Sequence, residues 1–176
     1  MTANADAQHQ IQTALERAAR AMTLRDTVGK GTAVTSVRLT EGLVCHVEEG
    51  EWRLTTDMSA KMGGEGTAPN PGVLGRAALG SCFATSFAMW AARKNLPFES
   101  IDVSVEADYD ARGELGVDAN VTPGYLQIRF VIKVVSEAPA ADVQAVLELT
   151  ERHTSWLDLM RRPVTATTDY QISGSR

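Results

Sequence analysis

The chain has 176 residues, enough for one domain with a sizeable core or a compact domain with an N-terminal addition, and too few for two full domains. Its 44% hydrophobic and 22% charged residues are ordinary for a globular protein and give no sign of disorder beyond the chain ends. A net charge of −5 argues against a broad nucleic-acid footprint. The opening MTANADAQHQ has no basic stretch leading into an apolar run, so no secretory leader is read and a cytoplasmic location is the expectation. Two cysteines, Cys45 and Cys82, are too few for a disulfide scaffold. No Cys/His spacing matches a zinc site, and no metal or cofactor is expected.

Residues 5–25 place Ile11, Ala14, Leu15, Ala18 and Met22 at helical spacing, with Glu16, Arg17 and Arg20 on the remaining face. This amphipathic helix and the Gly29-Lys30-Gly31 break set residues 1–29 apart as an extension of a domain spanning 30–176. Residues 32–39, 43–48 and 52–57 are short segments with β-branched residues and polar alternation, and they predict a three-stranded antiparallel meander. Residues 59–71 are rich in glycine and proline and predict a loop. Beyond the central segment, residues 101–109 alternate Ile101, Val103, Val105 and Ala107 with polar partners, as a strand with one wet face does. Residues 125–135 repeat that alternation after a turn-rich stretch. Pro139 opens a helix over 140–153, a short helix is expected over 155–161, and a last strand over 164–172. Strands in runs, not in strict alternation with helices, give an α+β domain.

Residues 72–95, GVLGRAALGSCFATSFAMWAARKN, organise the rest. They predict one long helix with apolar residues on every side, which places it in a protein interior or a membrane. Only 16 uncharged residues separate Arg76 from Arg93, and they include Gly80, Ser81, Thr85 and Ser86, whereas a membrane span needs about 20 mostly apolar residues. A core helix of a non-membrane domain follows. Pro69-Asn70-Pro71 marks its start, and Lys94-Asn95 followed by Pro97 marks its end. Gly75, Ala78, Gly80 and Ala84 leave room for close packing of another backbone.

Cys82 lies near the middle of this helix and is the candidate centre of any chemistry. Thiols react as thiolates, and a free cysteine, with a pKa of about 8.5, needs a nearby cation or a helix N-terminus to become reactive. The helix dipole fades after the first turn, too early to reach Cys82. Arg76, six residues earlier, is turned about 120° around the axis. A cation from another element is needed, and Arg38, Arg53 and His153 are the candidates. A buried cysteine serving only as a small hydrophobe is the alternative.

The run GEGTAPNPGVLGRAALGSCFATSFAMWAARKNL, with ERHTSWLDLMRRPVTATTDYQI further on, resembles the OsmC/Ohr family of osmotically induced proteins and organic hydroperoxide reductases. The resemblance runs over about residues 30–172 and implies an intertwined homodimer with two central helices packed between sheets and active sites at the subunit interface. It further implies a peroxidatic cysteine at Cys82, supported by Arg38, that reduces organic hydroperoxides without a cofactor. Two departures stand out. The family's Asn-Pro-Glu is Asn70-Pro71-Gly72 here, and its resolving cysteine is replaced by Thr154, so an external thiol must complete the cycle. Loss of both groups equally suits a protein that binds a small apolar ligand without turnover, using Phe83, Phe87, Trp90, Trp156 and His153 near the expected site. Acyl transfer through the same thiol has only His153, as a base, in its favour.

Overall fold

The computed structural model describes residues 3–174, in the order α1 (Ala3–Leu24), β1 (Ser36–Leu39), β2 (Cys45–Glu49), β3 (Trp52–Thr56), α2 (Pro71–Lys94), β4 (Ser100–Tyr109), α3 (Ala111–Glu114), β5 (Tyr125–Val135), α4 (Ala140–His153) and α5 (Ser155–Arg161). The expected α+β class holds, with two antiparallel sheets, β1-β2-β3 and β4-β5.

Local chemistry sets the bounds of α2. The Asn70 side chain accepts from the Val73 N–H at 2.9 Å and Pro71 fills the first turn, where its missing N–H costs nothing. Asn95 ends the helix in the left-handed conformation at φ 53°, its N–H returning to the last carbonyls. Leu79, Phe83, Phe87, Ala91 and Ala92 form the buried stripe of this helix. Gly80 allows α2 to approach β4 closely, since a Cβ there would lie 3.3 Å from Val105 Cγ2. Phe87, Ala91, Leu96 and Val146 form the main core cluster, which joins α2 to α4.

α2 is covered on one side by its own chain, while Ser81, Thr85 and Met89 on its other face are exposed within this chain. One expectation is corrected. The segment expected as a last strand over 164–172 forms no strand here, and Ile172 is 95% exposed. Among the described residues no strand of either sheet pairs with this segment. The β1-β2-β3 meander forms as expected, with Arg38 opposite His46 and Cys45 opposite Thr56. Among the described residues no helix packs broadly against that meander, and Val37, Leu39, Trp52 and Leu54 stay exposed. α1 lies along α2, tied by Gln8 Nε2 donating to the Leu96 carbonyl at 3.0 Å. Of its apolar stripe, Ile11 and Leu15 are half-buried while Ala14, Ala18 and Met22 remain exposed.

The loop before α2 has a built interior. The Asp57 carboxylate is 1% exposed and accepts from the N–H groups of Met58, Glu65 and Thr67 and from the Thr67 hydroxyl. Hydrogen bonding to the Thr67 N–H, which outweighs the opposing effect of burial, together with the other donors holds its pKa below the usual carboxylate value. Gly64 is obligatory in this turn, because a Cβ would meet the Met58 carbonyl oxygen at 2.0 Å.

Candidate functional site

Cys82 is the twelfth residue of α2, well beyond the reach of the helix dipole. It is a half-buried free thiol with its Sγ 3.5 Å from the Ser155 hydroxyl at the α4–α5 junction. These residues share a cleft of about 630 Å³ between α2 and that junction. Helical phase decides its membership. Ser86, Met89 and Arg93 fall within about 40° of Cys82 around the axis, and all three line the cleft. From the junction come His153, Thr154, Ser155 and Trp156.

The cleft has an ordered aromatic wall. The His153 ring lies 4.8 Å from the Trp90 ring at 34°, and the Arg93 guanidinium sits 5.0 Å above the same indole. An arginine on an indole face is attracted by the ring quadrupole, which fixes the guanidinium while leaving its N–H groups free to donate. Thr154 is buried and satisfied locally, its hydroxyl donating to the Thr150 carbonyl at 2.6 Å while Thr150 donates to the Val146 carbonyl at 2.8 Å.

The residues singled out in the sequence therefore divide. Cys82, His153 and Trp156 meet in one cleft. Phe83, turned about 100° from Cys82, is buried against Phe130 and lines a separate cleft of about 590 Å³ beside β5, α4 and α5. Phe87 is fully buried in the main core, edge-on to Phe98 at 5.2 Å. Arg38 lies exposed on β1 and does not line the cleft of its own chain. At Gly72, where the resemblance implies a glutamate, the backbone carbonyl accepts from the Tyr125 hydroxyl at 3.3 Å, and that hydroxyl accepts from Arg76 Nη1 at 2.9 Å.

Sequence reasoning missed Ser155, Arg93 and Asp57 as structural participants. Arg93 was within reach, since it follows Cys82 by eleven residues, about 20° off in phase. Ser155 was not, because its contact with Cys82 joins two elements 73 positions apart. Among the described residues no group of His, Cys, Asp or Glu side chains is placed to hold a metal ion, and no helix is long and apolar enough to cross a membrane.

Comparison with known proteins adds a family. The family model described as OsmC-like protein matches residues 64–169. No curated protein sequence matches the chain significantly. Among solved structures, an OsmC-like protein from Mycoplasma pneumoniae superposes with a TM-score of 0.66 at 11% identity, covering 75% of this chain and 89% of its own. An organic hydroperoxide resistance protein from Legionella pneumophila gives 0.52 at 20% identity over 74% and 90% of the two chains. The organic hydroperoxide resistance protein OhrB of Bacillus subtilis gives 0.50 at 19% over 76% and 93%. At such identities these likenesses speak for the fold.

Proposed function

This chain belongs to the OsmC-like protein family, and from that membership we propose that it reduces organic hydroperoxides at Cys82 with an external thiol as reductant. The observation that carries this reading is the position of Cys82, half-buried beside the Ser155 hydroxyl in an aromatic-walled cleft. The Cys82 thiolate attacks the distal peroxide oxygen, the O–O bond breaks, and an S–O bond forms. The alkoxide leaves and takes up a proton as the alcohol, while Cys82 becomes a sulfenic acid. With Thr154 where a resolving thiol would stand, a small-molecule thiol condenses with the sulfenic acid and releases water. A second thiol then displaces Cys82 from the mixed disulfide.

The reading includes a homodimer. Its support is the open face of α2, the exposed apolar residues of β1–β3 and the unpaired segment at 163–174, since a monomer rarely exposes so much apolar surface. In such a dimer Arg38 comes from the partner to stabilise the Cys82 thiolate, which accounts for its distance from the cleft of its own chain. Residues 1–29 serve as an accessory helix on the 30–176 domain.

Stopped-flow oxidation by cumene hydroperoxide tests the reaction. A second-order rate at least about a hundredfold above that of a simple thiol, lost in Cys82→Ser, is expected; about 2.7 kcal/mol of barrier lowering suffices. A wild-type rate equal to a free thiol's, or one unaffected by Cys82→Ser, overturns it. The second reading, binding of a small apolar ligand without turnover, draws support from Gly72 and Thr154, which occupy the two altered positions. A co-purifying ligand in native mass spectrometry, with no peroxide reduction, selects that reading.

A further inference from the structure

We infer that Asp57 is a positioning residue for the chemistry at Cys82: its buried carboxylate sets the loop between β3 and α2 as a rigid elbow, which aims the β1–β3 arm and its Arg38 at the partner's thiol. The inference rests on the peroxidase reading above and deepens it by naming what directs the cation.

Within its own chain the arm has little else to direct it. β1–β3 form a sheet of their own, and among the described residues no helix packs broadly against them. The link to α2 is the segment 57–70, and it is closed at its base. There the Asp57 N–H donates to the Pro69 carbonyl at 3.3 Å, next to the Asn70 cap. The end of β3 is thereby tied to the start of α2, and the residues between them form a side loop of the compact kind that packs on itself.

The carboxylate is the centre of that loop. One oxygen accepts from the Met58 N–H at 2.7 Å. The other accepts from the N–H groups of Glu65 and Thr67 at 3.2 and 2.9 Å and from the Thr67 hydroxyl at 2.9 Å. The Gly66 N–H returns to the Met58 carbonyl at 3.0 Å, and Gly63 and Gly66 take φ values of 85° and 68° that favour glycine. Hydrogen bonds to an ionised acceptor are stronger than neutral ones, so one carboxylate holds both limbs of the loop. At 1% exposure its bonds are complete within one chain before any partner docks.

Strand register places Arg38 near the elbow. Arg38 lies opposite His46, and His46 lies opposite Thr55, two residues before Asp57. Two strand spacings separate Arg38 from Thr55 by about 10 Å, so a turn of roughly 10° at the elbow moves it by about 2 Å. A misplacement of about 1 Å in a positioned group costs on the order of a hundredfold in rate.

Alkylation of Cys82 by iodoacetamide in the full-length protein, followed on its peptide by mass spectrometry, reads the thiolate without peroxide turnover. Arg38→Ala is expected to slow it about tenfold, Asp57→Asn about fivefold and the milder Thr67→Val about twofold. The double variant decides. Arg38→Ala with Asp57→Asn should be no slower than Arg38→Ala alone, because the carboxylate acts only through the arginine. A further slowing in the double variant, as a general loosening of the fold would give, or an unslowed Asp57→Asn overturns the inference. If Asp57→Asn does not fold, Thr67→Val carries the same cycle. Failure of the underlying reading is separable, since Arg38→Ala would then leave alkylation unchanged. The elbow is in that case decided by amide residual dipolar couplings, which report the orientation of β1–β3 relative to α2. One alignment for both in the wild type, weakened for β1–β3 in Thr67→Val, upholds the elbow. Equal alignment in wild type and variant removes it.

Discussion

Phe83 and Cys82 are neighbours in the chain and opposites in environment. Phe83 faces β5 and is 1% exposed, as part of a stripe with Leu79, Phe87 and Ala91 that holds α2 to the rest of the fold. Cys82 shares the other side of the helix with Ser81, Thr85 and Met89, which are exposed, and there the α4–α5 junction forms the facing wall of the cleft. Large side chains on the covered side supply stability, while on the open side small and polar ones leave the face free for the ligand and the second subunit proposed above.

The sharpest way to break this division is Phe87→Ala on the covered side. A fully buried phenylalanine truncated to alanine should cost about 3–5 kcal/mol, read from urea unfolding. A loss below about 1 kcal/mol, typical of surface sites, would mean that the covered face does not carry the fold. On the open face the order should invert. Thr85→Glu should leave folding within about 0.5 kcal/mol of wild type, while raising the dimer dissociation constant by about tenfold or more, because it puts a charge into the proposed contact. Sedimentation velocity decides: a wild type that is monomeric at micromolar concentration, or a variant that dimerises equally well, removes the proposed dimer.

Much of this architecture was legible because it is local. Asn70 and Asn95 cap α2 where proline and basic residues signalled its ends, and the alternation in β4 and the second half of β5 named their inner faces in advance, although Leu126 at the start of β5 is exposed. The orientation of α2 was harder, since apolar residues surround its axis and the pattern has weak phase. The signal was size: Leu79, Phe83 and Phe87 recur every four residues, with Ser81 and Thr85 between them. Phe83 and Phe87, expected near the site, belong to that buried stripe. The segment at 164–172 shows the limit of reading a single chain, because β-branched residues state a preference for pairing without supplying the partner edge. Cys82 with Ser155 shows another, since only the packing of α4 and α5 on α2 brings them together.

The loop preceding α2 offers a pH-dependent test. Asp57 has its pKa lowered in the fold, so its ionised form contributes stability that is fully present above the ordinary carboxylate value of 3.8 and is lost as pH falls through the lowered one. Melting temperature should hold steady down to about pH 5 and then fall. Asp57→Asn should lower it at pH 7 and flatten the acid limb, because an amide cannot accept from all four donors. An acid limb of unchanged steepness in the variant would show that other carboxylates govern the transition.

The finest test concerns Ser155, the sole hydrogen-bond partner of Cys82 among the described residues. At 3.5 Å the contact is long, as suits sulfur, and it bridges α2 to the junction that builds the other wall. If the hydroxyl donates to the thiolate, it stabilises the attacking form and also turns Sγ toward the ligand space. Ser155→Ala removes the donor with little loss of packing and should slow peroxide oxidation by about fivefold, close to 1 kcal/mol. Ser155→Thr restores the donor and should recover most of the rate. A low rate in Ser155→Ala that Ser155→Thr does not recover would mean that the donor is not what the serine supplies. An unchanged rate would mean that the thiolate depends on a cation, which in the proposed dimer is the partner's arginine, and would place the chemistry of the open face wholly at the interface.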